Sequence, residues 1–163
     1  MQLYLLRHGI AEENSDSGND ADRALTPEGR RKLRQVLQAA SDAGTQPALI
    51  LTSPLKRALQ TAEIAQAVLK CKDNLLHTKV LAPGSTTEQV WDEIRAHRDT
   101  PSLMLVGHNP LFTELAAYLL GSKEIQIDFK KGALLRVDIE RFATQPKGLL
   151  RWYLTAKLAA DRD

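Results

Sequence analysis

Histidine side chains stand at two points of the sequence where an apolar run ends, and an arginine precedes the first of them. Arg7 and His8 come directly after the apolar run 3–6, and His108 and Asn109 follow a second such run after one glycine. A short continuous apolar run predicts a strand that is buried on both faces. In open α/β sheets, ligands bind beyond the carboxyl ends of the strands. A lone histidine there is usually structural, but two histidines with cations beside them predict a functional site.

A third apolar stretch, residues 48–51, leads to another candidate cation. Ser53 is predicted to cap a helix, with Pro54 at its first position. Lys56 and Arg57 then fall in the first turn, where cations are disfavoured because the helix N-terminus is already the positive end of the macrodipole. A bound anion would remove that conflict. We assign Arg57 to the anion and interpret Lys56 as a surface charge.

These strand ends together predict a site for a phosphate-like anion. Arg7 and Arg57 can match phosphate oxygens with paired N–H groups, and His8 and His108 stand beside them. The sequence contains no metal-ligand spacing, and two guanidinium groups beside the histidines would oppose a divalent cation. We therefore predict no metal and no cofactor.

Strands and helices are predicted to alternate along the chain. The predicted strands cover residues 3–6, 48–51, 75–81, 102–106, 133–139 and 149–155, and helices begin near Thr26, Ser53, Thr86 or Thr87, and Asn109. This alternation predicts a three-layer α/β/α sandwich with a mainly parallel sheet, and the last two strands form an antiparallel C-terminal extension. The acidic stretch 10–22 is predicted to be a loop that overhangs the site.

Composition restricts the class of protein. The chain has 163 residues, which we interpret as one domain over 1–163, and its net charge of +2 gives no reason to expect nucleic acid. No stretch approaches the roughly 20 apolar residues of a membrane span. Cys71 is the single cysteine, so nothing indicates an oxidising compartment. We expect a cytoplasmic protein.

The order of these motifs resembles the histidine phosphatase (phosphoglycerate mutase-like) superfamily, and in particular the small bacterial phosphohistidine phosphatases of the SixA type. The residues that carry the resemblance are Leu5-Leu6-Arg7-His8-Gly9 with Ala11, Arg23-Ala24-Leu25-Thr26 with Gly29, Thr52-Ser53-Pro54 with Arg57, Ala58, Gln60 and Thr61, and Val106-Gly107-His108-Asn109-Pro110.

The resemblance implies a role for each candidate. His8 would be the nucleophile that becomes transiently phosphorylated, while Arg7, Arg57 and His108 would hold the phosphoryl oxygens. Arg23, at the pocket rim, and Asn109 would bind substrate. A neutral imidazole is a competent nucleophile near pH 7, since its ordinary pKa is about 6.5.

The sequence departs from larger members of the superfamily in two ways. Residues 70–100 leave no room for a helical cap, and Ala82 stands near the expected place of an acidic proton donor. Glu12, Glu13 and Glu88 are alternative donors, none of which the sequence selects. Phosphohistidine, whose imidazole leaves readily, is therefore the expected substrate, on a partner protein of a phosphorelay or phosphotransferase type. A small-molecule phosphomonoesterase and a non-catalytic phosphate-binding module remain alternatives.

Overall fold

A mixed six-stranded sheet organises the part of the chain that the computed structural model describes, residues 1–72 and 74–160. Its strands are β1 (Gln2–Arg7), β2 (Leu49–Thr52), β3 (Leu75–His77), β4 (Ser102–Gly107), β5 (Leu134–Asp138) and β6 (Leu149–Leu154). The helices are α1 (Pro27–Asp42), α2 (Lys56–Val68), α3 (Thr87–Ala96), α4 (Leu111–Leu119) and α5 (Ala156–Ala160). None of the helices within these ranges is long and apolar enough to cross a membrane.

The strand order is β3-β2-β4-β1-β5-β6. The first four strands in this order run parallel, β5 pairs antiparallel with β1, and β6 pairs antiparallel with β5. The predicted fold, a mainly parallel sheet with an antiparallel C-terminal extension, is confirmed. The carboxyl ends of β1 and β4, which carry the candidate residues, lie next to each other at the centre of the sheet.

Two apolar layers hold this sheet, one on each face. Leu3 and Leu5 of β1 pack on the side that includes Trp91 of α3 and Phe112 of α4. The alternate residues of the same strand face the other layer, which α1, α2 and α5 cover. Because β1 is buried on both faces, packing on both sides of the sheet fixes where its carboxyl end lies.

The predicted third strand is shorter than the apolar pattern suggested. β3 ends at His77, since it pairs only with the three residues 50–52 of β2. A short 3₁₀ helix, Lys79–Leu81, follows, and the Thr78 hydroxyl caps it by accepting a hydrogen bond from Val80 N. The extension of a strand to residue 81 was therefore wrong.

Two of the predicted helix caps were also wrong. α1 begins as predicted, with Thr26 accepting from Gly29 N, and α3 begins with a capping box at Thr86. α2, however, is preceded by Leu55 and α4 by Pro110, and neither makes a side-chain cap. The side chains of Ser53 and Asn109, predicted to mark the starts of these helices, are instead hydrogen-bonded within the candidate site.

Candidate active site

The ends of β1 and β4 bring His8 and His108 together. The strands pair in parallel register, His8 N donates to Gly107 O at 3.0 Å, and the two imidazole centroids lie 5.1 Å apart. A Cβ atom on Gly107 would come within 2.7 Å of the Phe112 ring, so the close packing of Phe112 against the end of β4 requires glycine at position 107. The two histidines are thus placed by adjacent buried strands.

The backbone fixes which nitrogen of His8 carries the proton. Nδ1 lies 2.7 Å from Gly9 O, and a carbonyl oxygen only accepts, so the Nδ1–H group donates and Nε2 keeps a lone pair. His8 is 6% exposed. Burial, then repulsion from the protonated form of His108 and from the charges of Arg57 and Arg7, lowers its pKa to about 3. At neutral pH this imidazole is uncharged and can act as a nucleophile.

His108 is also buried and uncharged at neutral pH. It is 2% exposed, and burial followed by the charge of Arg57 lowers its pKa to about 4. Its Nε2 lies 2.7 Å from the hydroxyl oxygen of Ser53, which is fully buried. The same hydroxyl oxygen accepts a hydrogen bond from Leu55 N at 3.3 Å, and α2 begins only at Lys56, so Ser53 lies before the helix start and not at its cap.

The two arginines are anchored through their terminal nitrogens. Arg7 Nη1 donates to Phe129 O at 2.6 Å. Arg57, the second residue of α2 and 5% exposed, donates from Nη1 and Nη2 to the backbone and side-chain oxygens of Asp20 at 3.0 and 3.2 Å. Both guanidinium groups are therefore oriented by the protein itself.

The unpaired polar atoms of the interior lie at this site. Among the described residues, the buried side-chain nitrogens and oxygens without a hydrogen-bond partner are Arg7 Nε, Arg57 Nε, His108 Nδ1 and Asn109 Oδ1. An unsatisfied buried polar group costs about 1–3 kcal/mol. The two Nε–H groups need acceptors, and an oxyanion offers several at once. The arrangement is suited to bind a phosphoryl group.

Asn109 and Arg23, the two residues predicted to bind substrate, differ in how they are connected to the arginines of the site. Asn109 Nδ2 donates to Phe129 O at 3.3 Å, the same carbonyl that accepts from Arg7. Arg23 is joined to Arg57 only through Asp20, since its Nε donates to Asp20 Oδ1 at 2.9 Å. Asn109 thus adjoins an arginine of the site, whereas Arg23 directly follows the loop 10–22 and contacts Asp20 of that loop.

Sequence reasoning named Thr61 as a motif residue but gave it no role, and the structure shows that this buried threonine links the elements of the site. Thr61 Oγ1 accepts from Gly9 N at 3.1 Å and donates to Arg57 O at 2.7 Å. It therefore ties the turn after β1 to the first turn of α2. Its spacing of four residues from Arg57 was a usable signal, because i and i+4 are adjacent on a helix.

Metal ligands are not grouped at this site. In residues 1–72 and 74–160 there is no group of three or more histidine, cysteine, aspartate or glutamate side chains that could hold a metal ion. The positive charge here comes from the guanidinium groups.

An α/β/α fold with paired histidines and arginines at its strand ends defines a phosphoryl-binding class of protein. Residues 3–78 match the family model of the histidine phosphatase superfamily (branch 1). An uncharacterised protein of Picosynechococcus sp. (strain PCC 7002) is 35% identical, over 92% of this chain and 99% of its own length. The chain belongs to the histidine phosphatase superfamily, which supports a phosphatase activity.

Solved structures agree on the fold. The protein histidine phosphatase SixA complexed with tungstate has a TM-score of 0.85 and 24% identity, covering 96% of this chain and 98% of its own. SixA of Agrobacterium tumefaciens has a TM-score of 0.82 and 25% identity, covering 94% and 97%. A phosphoserine phosphatase of Entamoeba histolytica has a TM-score of 0.68 and 15% identity, covering 96% and 98%.

Proposed function

We propose that this protein is a metal-independent phosphatase that removes the phosphoryl group from phosphohistidine on a partner protein, through a covalent phospho-His8 intermediate. The observation that carries the proposal is the set of buried, unpartnered nitrogens on Arg7, Arg57 and His108, next to a histidine whose Nε2 is free to attack. In this proposal those three side chains hold the phosphoryl oxygens. Asn109 and Arg23 support substrate binding.

The reaction has two displacements at phosphorus. His8 Nε2 forms a bond to phosphorus while the bond from phosphorus to the substrate imidazole breaks, and the leaving nitrogen takes a proton from solvent. Water then attacks phospho-His8, which releases inorganic phosphate and restores neutral His8. Because burial holds the pKa of His8 at about 3, the attacking nitrogen needs no prior deprotonation at neutral pH. The guanidinium groups stabilise charge on the transferring oxygens.

The phosphohistidine assignment has support from the access to the site and from the neighbours. Residues 78–86, between β3 and α3, contain one short 3₁₀ helix, which supports a single domain over 1–163 without a helical cap. A site without a helical cap suits a phosphoryl group presented on a protein surface. The neighbour with a TM-score of 0.85 is a protein histidine phosphatase. We expect the partner to be a cytoplasmic phosphorelay or phosphotransferase protein.

A small-molecule phosphomonoesterase is the second candidate. It is favoured by a stretch of 95 residues that is 33% identical to 6-phosphofructo-2-kinase/fructose-2,6-bisphosphatase 4 of Rattus norvegicus, although this stretch is 20% of that protein. A non-catalytic phosphate-binding module is less well supported, because binding alone does not need the free Nε2 of His8.

The test compares leaving groups. The purified protein is given a phosphohistidine protein, phosphoramidate, nitrophenyl phosphate and a sugar phosphate, each with and without a chelator. We expect the first two to turn over well in the chelator, and the sugar phosphate to be slower by about 10²–10⁴, the usual contribution of a general acid. Equal rates for the sugar phosphate would replace the proposal with the second candidate.

The covalent step has its own test. Rapid quenching with a labelled phosphohistidine protein should trap an acid-labile phosphoryl group on the wild type. His8→Ala should lose both the label and turnover, and His77→Ala, which removes an exposed imidazole at the end of β3, should keep both. Turnover by His8→Ala at a near-normal rate would exclude His8 as the nucleophile.

A further inference from the structure

Among the residues that the structure describes, Asp20 is the carboxylate that is hydrogen-bonded to Arg57 of the site. Its Oδ2 accepts from Arg57 Nη2 at 3.2 Å and its backbone oxygen accepts from Arg57 Nη1 at 3.0 Å. Its other carboxylate oxygen accepts from Arg23 Nε at 2.9 Å. Asp20 thus joins two arginines that are far apart in sequence.

These contacts occupy one edge of the Arg57 guanidinium and leave the Nε–H group without a hydrogen-bond partner. The edge formed by Nη1 and Nη2 is directed at Asp20, while Nε–H is buried and without a partner. A guanidinium has five N–H donors in a fixed plane, so fixing one edge also fixes the direction of the rest. Asp20 therefore determines where the unpaired Nε–H points.

The loop that carries Asp20 is itself fastened at several places. Glu12 N donates to Ala24 O at 2.8 Å, and Leu25 N donates to Gln60 Oε1 on α2 at 2.8 Å. Arg23 adds a hydrogen bond from Nη1 to Glu12 O at 3.1 Å. A loop held in this way can present a carboxylate at a constant position although the Asp20 side chain is 65% exposed.

The charges also favour this arrangement. A buried guanidinium is costly without a counter-charge, and Asp20 supplies one for Arg57. Slight desolvation raises the pKa of Asp20, but the charges of Arg57 and then Arg23 lower it, and the net shift is downward. The carboxylate is therefore ionised throughout the neutral range.

We propose that Asp20 is a positioning residue that holds the Arg57 guanidinium with its Nε edge toward the phosphoryl group, and that Arg23 acts by holding Asp20. This inference rests on the proposed function, since it assumes that Arg57 binds the phosphoryl group. It replaces direct substrate contact by Arg23 with an indirect role.

The test is a double-mutant cycle with phosphoramidate as substrate and orthovanadate as the anion probe. Asp20→Ala should lower kcat/KM by about tenfold or more and weaken vanadate inhibition. Interaction energies between residues in direct contact are commonly large enough for a change of this size. In an Arg57→Ala background the same change should have an effect of less than about threefold. Asp22→Ala is the matched control, because it removes the same charge from the same 3₁₀ helix, Asp20–Asp22. The Asp22 carboxylate accepts a hydrogen bond from the Ser17 hydroxyl and not from Arg57.

The outcomes separate this inference from the function on which it rests. Wild-type activity in Arg57→Ala would overturn the proposed site. A large loss in Arg57→Ala with equal, small effects of Asp20→Ala and Asp22→Ala would overturn only the role of Asp20. Tighter vanadate inhibition in Asp20→Ala would also overturn it, because the carboxylate would then compete with the anion. An undiminished effect in the Arg57→Ala background would show that Asp20 acts without Arg57.

Discussion

The buried histidine pair should make folding strongly dependent on pH. In the folded protein both imidazoles stay unprotonated at pH 5, because their pKa values lie at about 3 for His8 and about 4 for His108. In the unfolded chain each imidazole has its ordinary pKa of about 6.5. Below that value the unfolded state binds protons that the folded state does not. The free energy of unfolding must therefore fall as the pH falls.

The size of this loss follows from the two pKa values of each group. Each pH unit over which only the unfolded state is protonated lowers the free energy of unfolding by about 1.4 kcal/mol per group. From pH 7 to about pH 5 each imidazole should cost about 2 kcal/mol, and the pair about 4 kcal/mol. A folded pKa of 3 or of 4 gives nearly the same loss, because both lie well below the pH of the measurement.

Urea unfolding followed by tryptophan fluorescence measures this loss. Buffers without phosphate or sulfate are needed, since an oxyanion at the site would add its own linkage. His8→Gln and His108→Gln should each remove about half of the difference in unfolding free energy between the two pH values. His77→Gln, which removes an exposed imidazole, is expected to keep the wild-type difference. If His8→Gln keeps the full wild-type difference, His8 is not held neutral by burial and the reasoning fails.

Three further substitutions test how the site is held. Arg57→Ala should cost on the order of 2–4 kcal/mol in transition-state stabilisation, as for the loss of one preorganised donor, whereas exposed Arg31→Ala should change kcat/KM little. Thr61→Val should lower the free energy of unfolding by about 1–3 kcal/mol in urea melts, because it leaves a backbone N–H unpaired, and Thr61→Ser should lose much less. Gly29→Ala should destabilise the fold by about 1–3 kcal/mol, because its Cβ would overlap Ile10 O, and a thermal melt unchanged from wild type would contradict this contact.

The site residues at the strand ends could be predicted because few positions combine a continuous apolar run with a histidine or an arginine at its end. The runs before Arg7 and His108 are apolar on both faces, which indicates a buried parallel strand, and parallel strands share one carboxyl edge. The meeting of His8 with His108 follows from that rule once β1 and β4 are neighbours. Local chemistry was also sufficient for α1, where Thr26 and Pro27 start the helix as predicted.

Other parts depended on contacts that a local pattern does not contain. Ser53 is a residue type that often caps a helix, but α2 begins only at Lys56, and the Ser53 hydroxyl is also hydrogen-bonded to His108, 55 positions away. The carbonyl of Phe129 orients Arg7, and a backbone oxygen leaves no signature in the side-chain sequence. Asp20 was one of several acidic residues in a polar loop, and only the folded path of that loop distinguishes it from Asp22.

The position of Asp20 bears on the question of a general acid. Of the described carboxylates, Asp20 is the one hydrogen-bonded to Arg57, and both of its oxygens accept N–H groups. With its pKa lowered, it carries no proton to donate at neutral pH. Glu12, Glu13 and Glu88, considered as donors from the sequence, are exposed. A substrate whose leaving group departs without an acid fits this site better than an alkyl phosphate, which favours phosphohistidine.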